Sequence, residues 1–208
     1  MSQYFKIHPD NPQARLIGQA VVILRQGGVV AYPTDSCYAL GCLLDRGEAL
    51  ERILRIRGLE PGHLFTIICS DLSGLGALAR LDNTAFRLIK SLIPGPYTFV
   101  LQASREVPKR LHHPKRKTIG LRVPDNPICL SLLEALGEPM LSTSLVIAGD
   151  EGPEGDPEQI RDRIGKLVDL VIDGGMIGSE ETTIIDVSGD IPEVVRKGKG
   201  PVDHLQGL

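Results

Sequence analysis

Stretches with the spacing of an amphipathic helix alternate with short β-branched runs along this chain, and that alternation leaves few folds open. Ile17, Ala20, Val21 and Leu24 fall at i, i+3, i+4 and i+7. They predict a first helix with Asn11 as its cap, Pro12 in its first turn and Gly27-Gly28 as its stop. Val29 to Tyr32 then reads as a buried strand. The same reasoning predicts a helix from about Glu48 to Arg57, a β-rich run from Phe65 to Cys69, and a helix capped by Asp82 that carries Ala85, Leu88, Ile89 and Leu92. Pro94-Gly95-Pro96 forbids helix and sets a turn before a strand from Tyr97 to Leu101.

Thr118 to Val123 is the next expected strand, followed by a helix from Pro127 to Leu136 closed by Gly137. Met140 to Ser144 is strand-like, and an acidic Gly/Pro loop spans 148–156. Asp156-Pro157-Glu158-Gln159 has the look of a capped helix start. Val168 to Ile172, Thr183 to Val187 and Glu193 to Arg196 complete the strands. Crossovers mixed with neighbouring strands predict an α/β fold: a twisted, open mixed sheet with flanking helices, in a single domain over 1–208. Aromatics are only 4% of the chain and Trp is absent, so the core must be built from Leu, Ile, Val and Ala.

No stretch approaches the ~20 apolar residues of a membrane span. Met1 to His8 lacks the apolar run of a secretion signal, so a cytoplasmic protein is expected. Cys37, Cys42, Cys69 and Cys129 form no C-x-x-C pair and have apolar neighbours, which predicts reduced core thiols. Adjacent His112 and His113 project in different directions, and with His63 they complete no metal shell. No protein-bound metal is expected. Neither a P-loop nor a G-x-G-x-x-G motif occurs.

Three hydroxyl-rich segments stand at expected strand exits, where α/β folds place ligands. They are Thr34-Asp-Ser-Cys-Tyr38, Ser142-Thr-Ser144 and Glu181-Thr-Thr183. Each reads equally as a turn whose hydroxyls satisfy their own backbone. The net charge of −3 does not point to nucleic acid, so any basic site must come from segregation of charge. Such segregation occurs from Arg105 to Arg122, where Lys109, Arg110, Lys115, Arg116 and Lys117 are opposed by Glu106 alone. Clustered cations of this kind fit phosphate neutralisation, and backbone and shape contacts with duplex RNA suit them better than base stacking. Oligomeric state, a homodimer included, is not legible here.

Taken in order, several segments resemble the YrdC/YciO family, which includes threonylcarbamoyl-adenylate synthases. They are Tyr32-Pro-Thr-Asp-Ser-Cys-Tyr-Ala-Leu-Gly41, Pro94-Gly-Pro-Tyr-Thr-Phe-Val-Leu101, Gly120-Leu-Arg-Val-Pro124, Leu141-Ser-Thr-Ser144, Asp173-Gly-Gly175, Thr182-Thr-Ile-Ile-Asp186 and Val195-Arg-Lys-Gly198. The opening Tyr-Phe-Lys-Ile-His-Pro-Asp-Asn-Pro looks most like the YciO branch. The resemblance implies a YrdC-like fold with a positive concave surface. It also implies condensation of threonine, bicarbonate and ATP with release of pyrophosphate, in the service of N6-threonylcarbamoyladenosine formation in tRNA. Mg²⁺ would travel with ATP. By motif position Thr34, Tyr38, Arg57, Arg122, Ser142, Ser144, Thr183 and Arg196 would line the ligand cavity, and Arg57 would be the catalytic cation.

The chain departs from the synthases' signatures. K-x-R falls on Arg57-Gly58-Leu59, the lysine downstream falls on His63, and S-x-N falls on Ser144-Leu145-Val146. Losing a guanidinium and an amide removes positioned transition-state donors. Two functions are therefore expected to compete: an RNA- or nucleotide-binding protein (tRNA, rRNA or duplex) with weak or absent synthesis, and a working synthase. A third reading is an enzyme using another acid, in a cavity that Leu59 and Val146 would make more apolar.

Overall fold

The computed structural model describes residues 2–60 and 62–203. Its strands are β1 (Gln3–Lys6), β2 (Val30–Tyr32), β3 (Ala39–Leu43), β4 (Thr66–Ile68), β5 (Tyr97–Gln102), β6 (Thr118–Arg122), β7 (Met140–Ser144), β8 (Leu170–Asp173), β9 (Thr183–Asp186) and β10 (Glu193–Arg196). The helices are α1 (Ala14–Arg25), α2 (Gly47–Arg57), α3 (Leu72–Leu78), α4 (Asn83–Leu92), α5 (Pro127–Leu136) and α6 (Pro157–Ile164). All ten strands join one open sheet in the order β1-β8-β2-β3-β7-β4-β6-β5-β9-β10. Pairing is mixed: β1–β8, β8–β2, β4–β6 and β5–β9 are parallel, and the other neighbours are antiparallel. The architecture is the expected α/β mixed sheet.

Local chemistry sets most boundaries. Asp82 accepts from the Ala85 N–H at 2.7 Å, and Asn126 accepts from Cys129 N–H at 3.1 Å, each capping its helix as Asx residues do. Gly137 closes α5 in the left-handed conformation. The expected cap at Asn11 is corrected. The first helix starts at Ala14 behind Gln13, and no side chain caps it. Asn11 and Asp10 instead give their N–H groups to His8 Nδ1, which makes 8–11 a turn. Strands β1 and β3 and helix α3 lie outside the expected elements.

Two apolar layers cover the sheet unequally. On one face α2, α3 and α4 pack over Leu40, Ile67, Phe99, Leu121 and Leu141. On the other face α1 and α5 cover Val30, Tyr32, Ile68, Met140 and Leu170. Beyond those helices, that second face carries the alternate residues of β4, β5, β6 and β7, and these are Thr66, Thr98, Gly120 and Ser142. Small and hydroxylated side chains thus floor a concavity where a helix would need apolar ones.

Candidate functional site

A cavity of about 340 Å³ stands on this floor. Thr34, Thr66, Thr98, Ser142, Ser144 and Thr182 supply hydroxyls to its walls, and Arg57, Arg122 and Arg196 supply the cations. Gly120 keeps the floor open, because a Cβ there would stand 3.2 Å from Thr66 Oγ1.

The three guanidiniums arrive from different elements and differ in what neutralises them. Arg122 ends β6 and is buried; it pairs with Asp35 of the β2–β3 loop and reaches Thr34 Oγ1 at 3.5 Å. Arg196 ends β10, pairs with Glu181 at 2.7 Å, and donates to the Thr182 carbonyl through Nε and Nη2. Arg57 closes α2 and donates to the Thr143 hydroxyl, with no acidic partner among the described residues. Its Nε is buried and unpartnered. Burial lowers its pKa from the usual guanidinium value.

The chain leaves α2 through a Schellman motif, which explains where the residues after Arg57 go. Gly58 is left-handed at φ 63°, Gly58 N–H bonds Arg55 O, and Leu59 N–H bonds Leu54 O at 2.9 Å. Leu59 and Leu54 then line one shallow groove on the far side of α2. The expectation that Leu59 would make the cavity more apolar is thereby corrected, because the motif turns it away. Val146 does line an outer chamber of about 500 Å³ that shares Arg57, Glu181 and Arg196 with the cavity. His63 lies in the cavity wall, edge-on to Phe65 at 5.3 Å, and burial followed by the Arg57 charge hold its pKa below 6.5.

The hydroxyls are more engaged than their spacing suggested. Thr34 Oγ1 donates to Cys37 O at 2.7 Å and accepts from Ser36 and Cys37 N–H groups, an ST-turn that satisfies its own backbone. Ser142 Oγ shares a 2.6 Å hydrogen bond with Tyr32 OH. Tyr38 and Thr183 stand outside the cavity wall. Tyr38 OH donates to Gly175 O and accepts from Gly174 N–H, while Thr183 Oγ1 donates to Gly200 O and accepts from Gly198 N–H. Arg57, Thr34, Arg122, Ser142, Ser144 and Arg196 are brought together.

Asp35, Glu181, Thr98 and Thr66 join the site although no motif singled them out individually. For Thr98 a signal existed: a polar residue between Tyr97 and Phe99 in a strand faces away from the core they fill. All four cysteines are free and buried, and burial pushes Cys42, Cys69 and Cys129 up to about 12. No group of three or more His, Cys, Asp or Glu is gathered as a metal shell among the described residues. Nor is any described helix long and apolar enough to cross a membrane.

The basic stretch separates into parts. Arg122 points into the cavity and leaves the cluster altogether. Arg110 donates to Leu44 O, and Arg116 pairs with Asp186 at 3.1 Å. Lys109, Lys115 and Lys117 are exposed on the β5–β6 connection with no acidic partner among the described residues.

Known proteins share this fold. The Sua5/YciO/YrdC family model, described as telomere recombination, matches residues 22–198. YciO of Escherichia coli is 60% identical over 202 residues, covering 97% of this chain and 98% of that protein. Its crystal structure superposes with a TM-score of 0.93 over 98% of both chains. The threonylcarbamoyl-AMP synthase of Neisseria gonorrhoeae is 32% identical over 84% of this chain and 92% of its own. The P. abyssi Sua5 structure complexed with L-threonine matches at 27% identity and a TM-score of 0.90, over 99% of this chain and 60% of that one.

Proposed function

The chain belongs to the Sua5/YciO/YrdC family as a YciO-type relative of the threonylcarbamoyl-AMP synthases, and from that premise we propose a nucleotide-binding role with weak or absent synthesis. In this reading an adenine nucleotide enters the cavity beside Arg57, and RNA meets the exposed β5–β6 connection in the cytoplasm. The observation that carries it is the pairing of charge. Of three cavity guanidiniums, Arg122 is held by Asp35 and Arg196 by Glu181, and Arg57 alone makes no ion pair among the described residues. Stabilising a polyphosphate as it breaks requires several positioned, free donors.

By the motif resemblance, Leu59, His63 and Val146 fall where the synthases' signatures carry a guanidinium, an ammonium and an amide. One such donor is worth about 10²–10³ in rate, so the loss is severe. ATP would bring Mg²⁺ with it. The exposed Lys109, Lys115 and Lys117 support the RNA surface, since each can neutralise a phosphate without first breaking an ion pair. The gathering of Arg57, Ser142, Ser144 and Arg196 in one cavity favours the second reading, a working synthase.

An assay with ATP, bicarbonate and threonine, scored for pyrophosphate and the adenylate, separates the two. Turnover is expected at least about 100-fold below a synthase with complete signatures, alongside measurable AMP binding by calorimetry. Comparable turnover would overturn the proposal.

A further inference from the structure

The polar cavity opens outward past a single ion pair. Arg57, Glu181 and Arg196 line both the cavity of about 340 Å³ and the outer chamber of about 500 Å³, so they form the neck between the two. The cavity is near the lower end of the roughly 300–1,000 Å³ that ligand pockets span, and a ligand that outgrows it extends through this neck. The third cation of the cavity, Arg122, is buried and held by Asp35, so a phosphate is drawn to the neck instead.

We propose that Glu181 is a valence filter at the neck, so that the site holds a nucleoside monophosphate and disfavours the di- and triphosphate. This rests on reading the cavity as an adenine-nucleotide site. The carboxylate is fixed from both ends. Its side chain accepts from Arg196 Nη1 at 2.7 Å, and its backbone carbonyl accepts from Lys199 N–H at 2.9 Å. Gly198 passes so close that a Cβ there would stand 2.3 Å from the Glu181 carbonyl oxygen, which a side chain would push away.

Arg196 is committed in turn. Its Nε and Nη2 donate to the Thr182 carbonyl oxygen at 3.2 and 3.0 Å, while Nη1 meets Glu181. A phosphate gains a fork from this guanidinium only by displacing bonds already made. Arg196 is therefore the strut that holds a negative charge at the neck. Arg57 lies within reach of the same carboxylate: burial lowers its pKa, and the Glu181 charge opposes that shift. Beyond the neck the balance worsens for an anion. The chamber's own charged groups are Glu151, Glu180 and Lys197, two carboxylates to one ammonium. A monophosphate stops beside Arg57, whereas each further phosphate is set among carboxylates, where like charges repel more strongly than in bulk water.

Titration calorimetry of the full chain with AMP, ADP and ATP, in chelator and at matched ionic strength, tests the proposal. Affinity is expected to fall with each added phosphate, AMP binding at least roughly tenfold more tightly than ATP. Glu181→Gln keeps an oxygen for Arg196 and removes the charge. It is expected to raise ATP affinity roughly tenfold and AMP affinity less than about threefold. Glu151→Gln combined with Glu180→Gln alters two exposed positions of the chamber alone, and is expected to strengthen ATP while leaving AMP unchanged. ATP binding the parent as tightly as AMP would overturn the filter and leave the cavity reading standing. An AMP preference that persists undiminished in Glu181→Gln would do the same. Absence of binding by all three nucleotides would overturn both.

Discussion

Replacing Asp35 by alanine should expose how the cavity's charges are held. The Asp35 and Arg122 side chains are 10% and 8% exposed, and Asp35 is the acid that pairs with this buried guanidinium. Removing one member of such a pair leaves an uncompensated charge and costs about 3–5 kcal/mol. For a chain of this length each kcal/mol moves the melting temperature about 2–4 °C, so the expected fall is roughly 6–20 °C. About a fifth or more of the stability typical of a domain would go with it. The same change frees Arg122 to meet an anion in the cavity. Inorganic phosphate should therefore stabilise D35A more than the parent, and at 100 times its dissociation constant for D35A it adds about 2.7 kcal/mol to that variant. The double variant D35A/R122M removes both charges and should recover much of the loss, a coupling that a double-mutant cycle reads directly. Thermal unfolding with and without phosphate provides every number. A fall equivalent to less than about 1 kcal/mol, or a double variant no better than D35A, would refute the buried-pair argument.

Glu181→Gln releases Arg196 from a half-exposed pair, so stability should change by less than about 1 kcal/mol while ATP affinity rises more than AMP affinity, measured by calorimetry. His63 has a folded-state pKa below 6.5, so the unfolded chain binds more protons in the window beneath that value. Its contribution to stability is complete above pH 6.5 and is lost as pH falls through the window; denaturant titrations between pH 7.5 and 5 should show a slope that His63→Gln abolishes. Protonation there also places a second cation near Arg57, so anion affinity should rise as the pH drops. Substituting Lys109, Lys115 and Lys117 together by alanine should flatten the salt dependence of duplex RNA binding by about 2–3 in log–log slope. Unchanged slope would rule out the β5–β6 connection as the RNA surface.

Much of the fold was legible because its determinants are local. Ala85, Leu88, Ile89 and Leu92 declare α4 by spacing, Asp82 caps it, and the strands from β5 to β10 were located within two or three residues. Where a nearby partner took the decisive hydrogen bond, the local reading slipped: His8 drew the Asn11 N–H into a turn, and the cap expected there did not form. β1 escaped because its edge position buries little, with Phe5 its one buried residue. β3 escaped because every residue in it is buried, so no alternation marks it.

The cavity divides along the same line. The resemblance carried by the ordered motifs singled out Arg57, Thr34, Ser142, Ser144 and Arg196, since motif order is a property of the chain itself, whereas residue type alone left the hydroxyl segments open. Which charges are free was decided only by tertiary structure. Arg122 lies five residues from Lys117 and was grouped with the basic stretch, yet strand alternation turns it inward and Asp35, 87 positions away, takes its charge. Glu181 reaches Arg196 because β9 and β10 pair antiparallel, and Leu59 leaves the site because Gly58 adopts a left-handed turn. Charge in a sequence is additive, but charge in a folded cavity depends on which acid the topology delivers to each base. That is why the cations of this cavity could be expected from the chain, and the pairing of two of them with Asp35 and Glu181 could not.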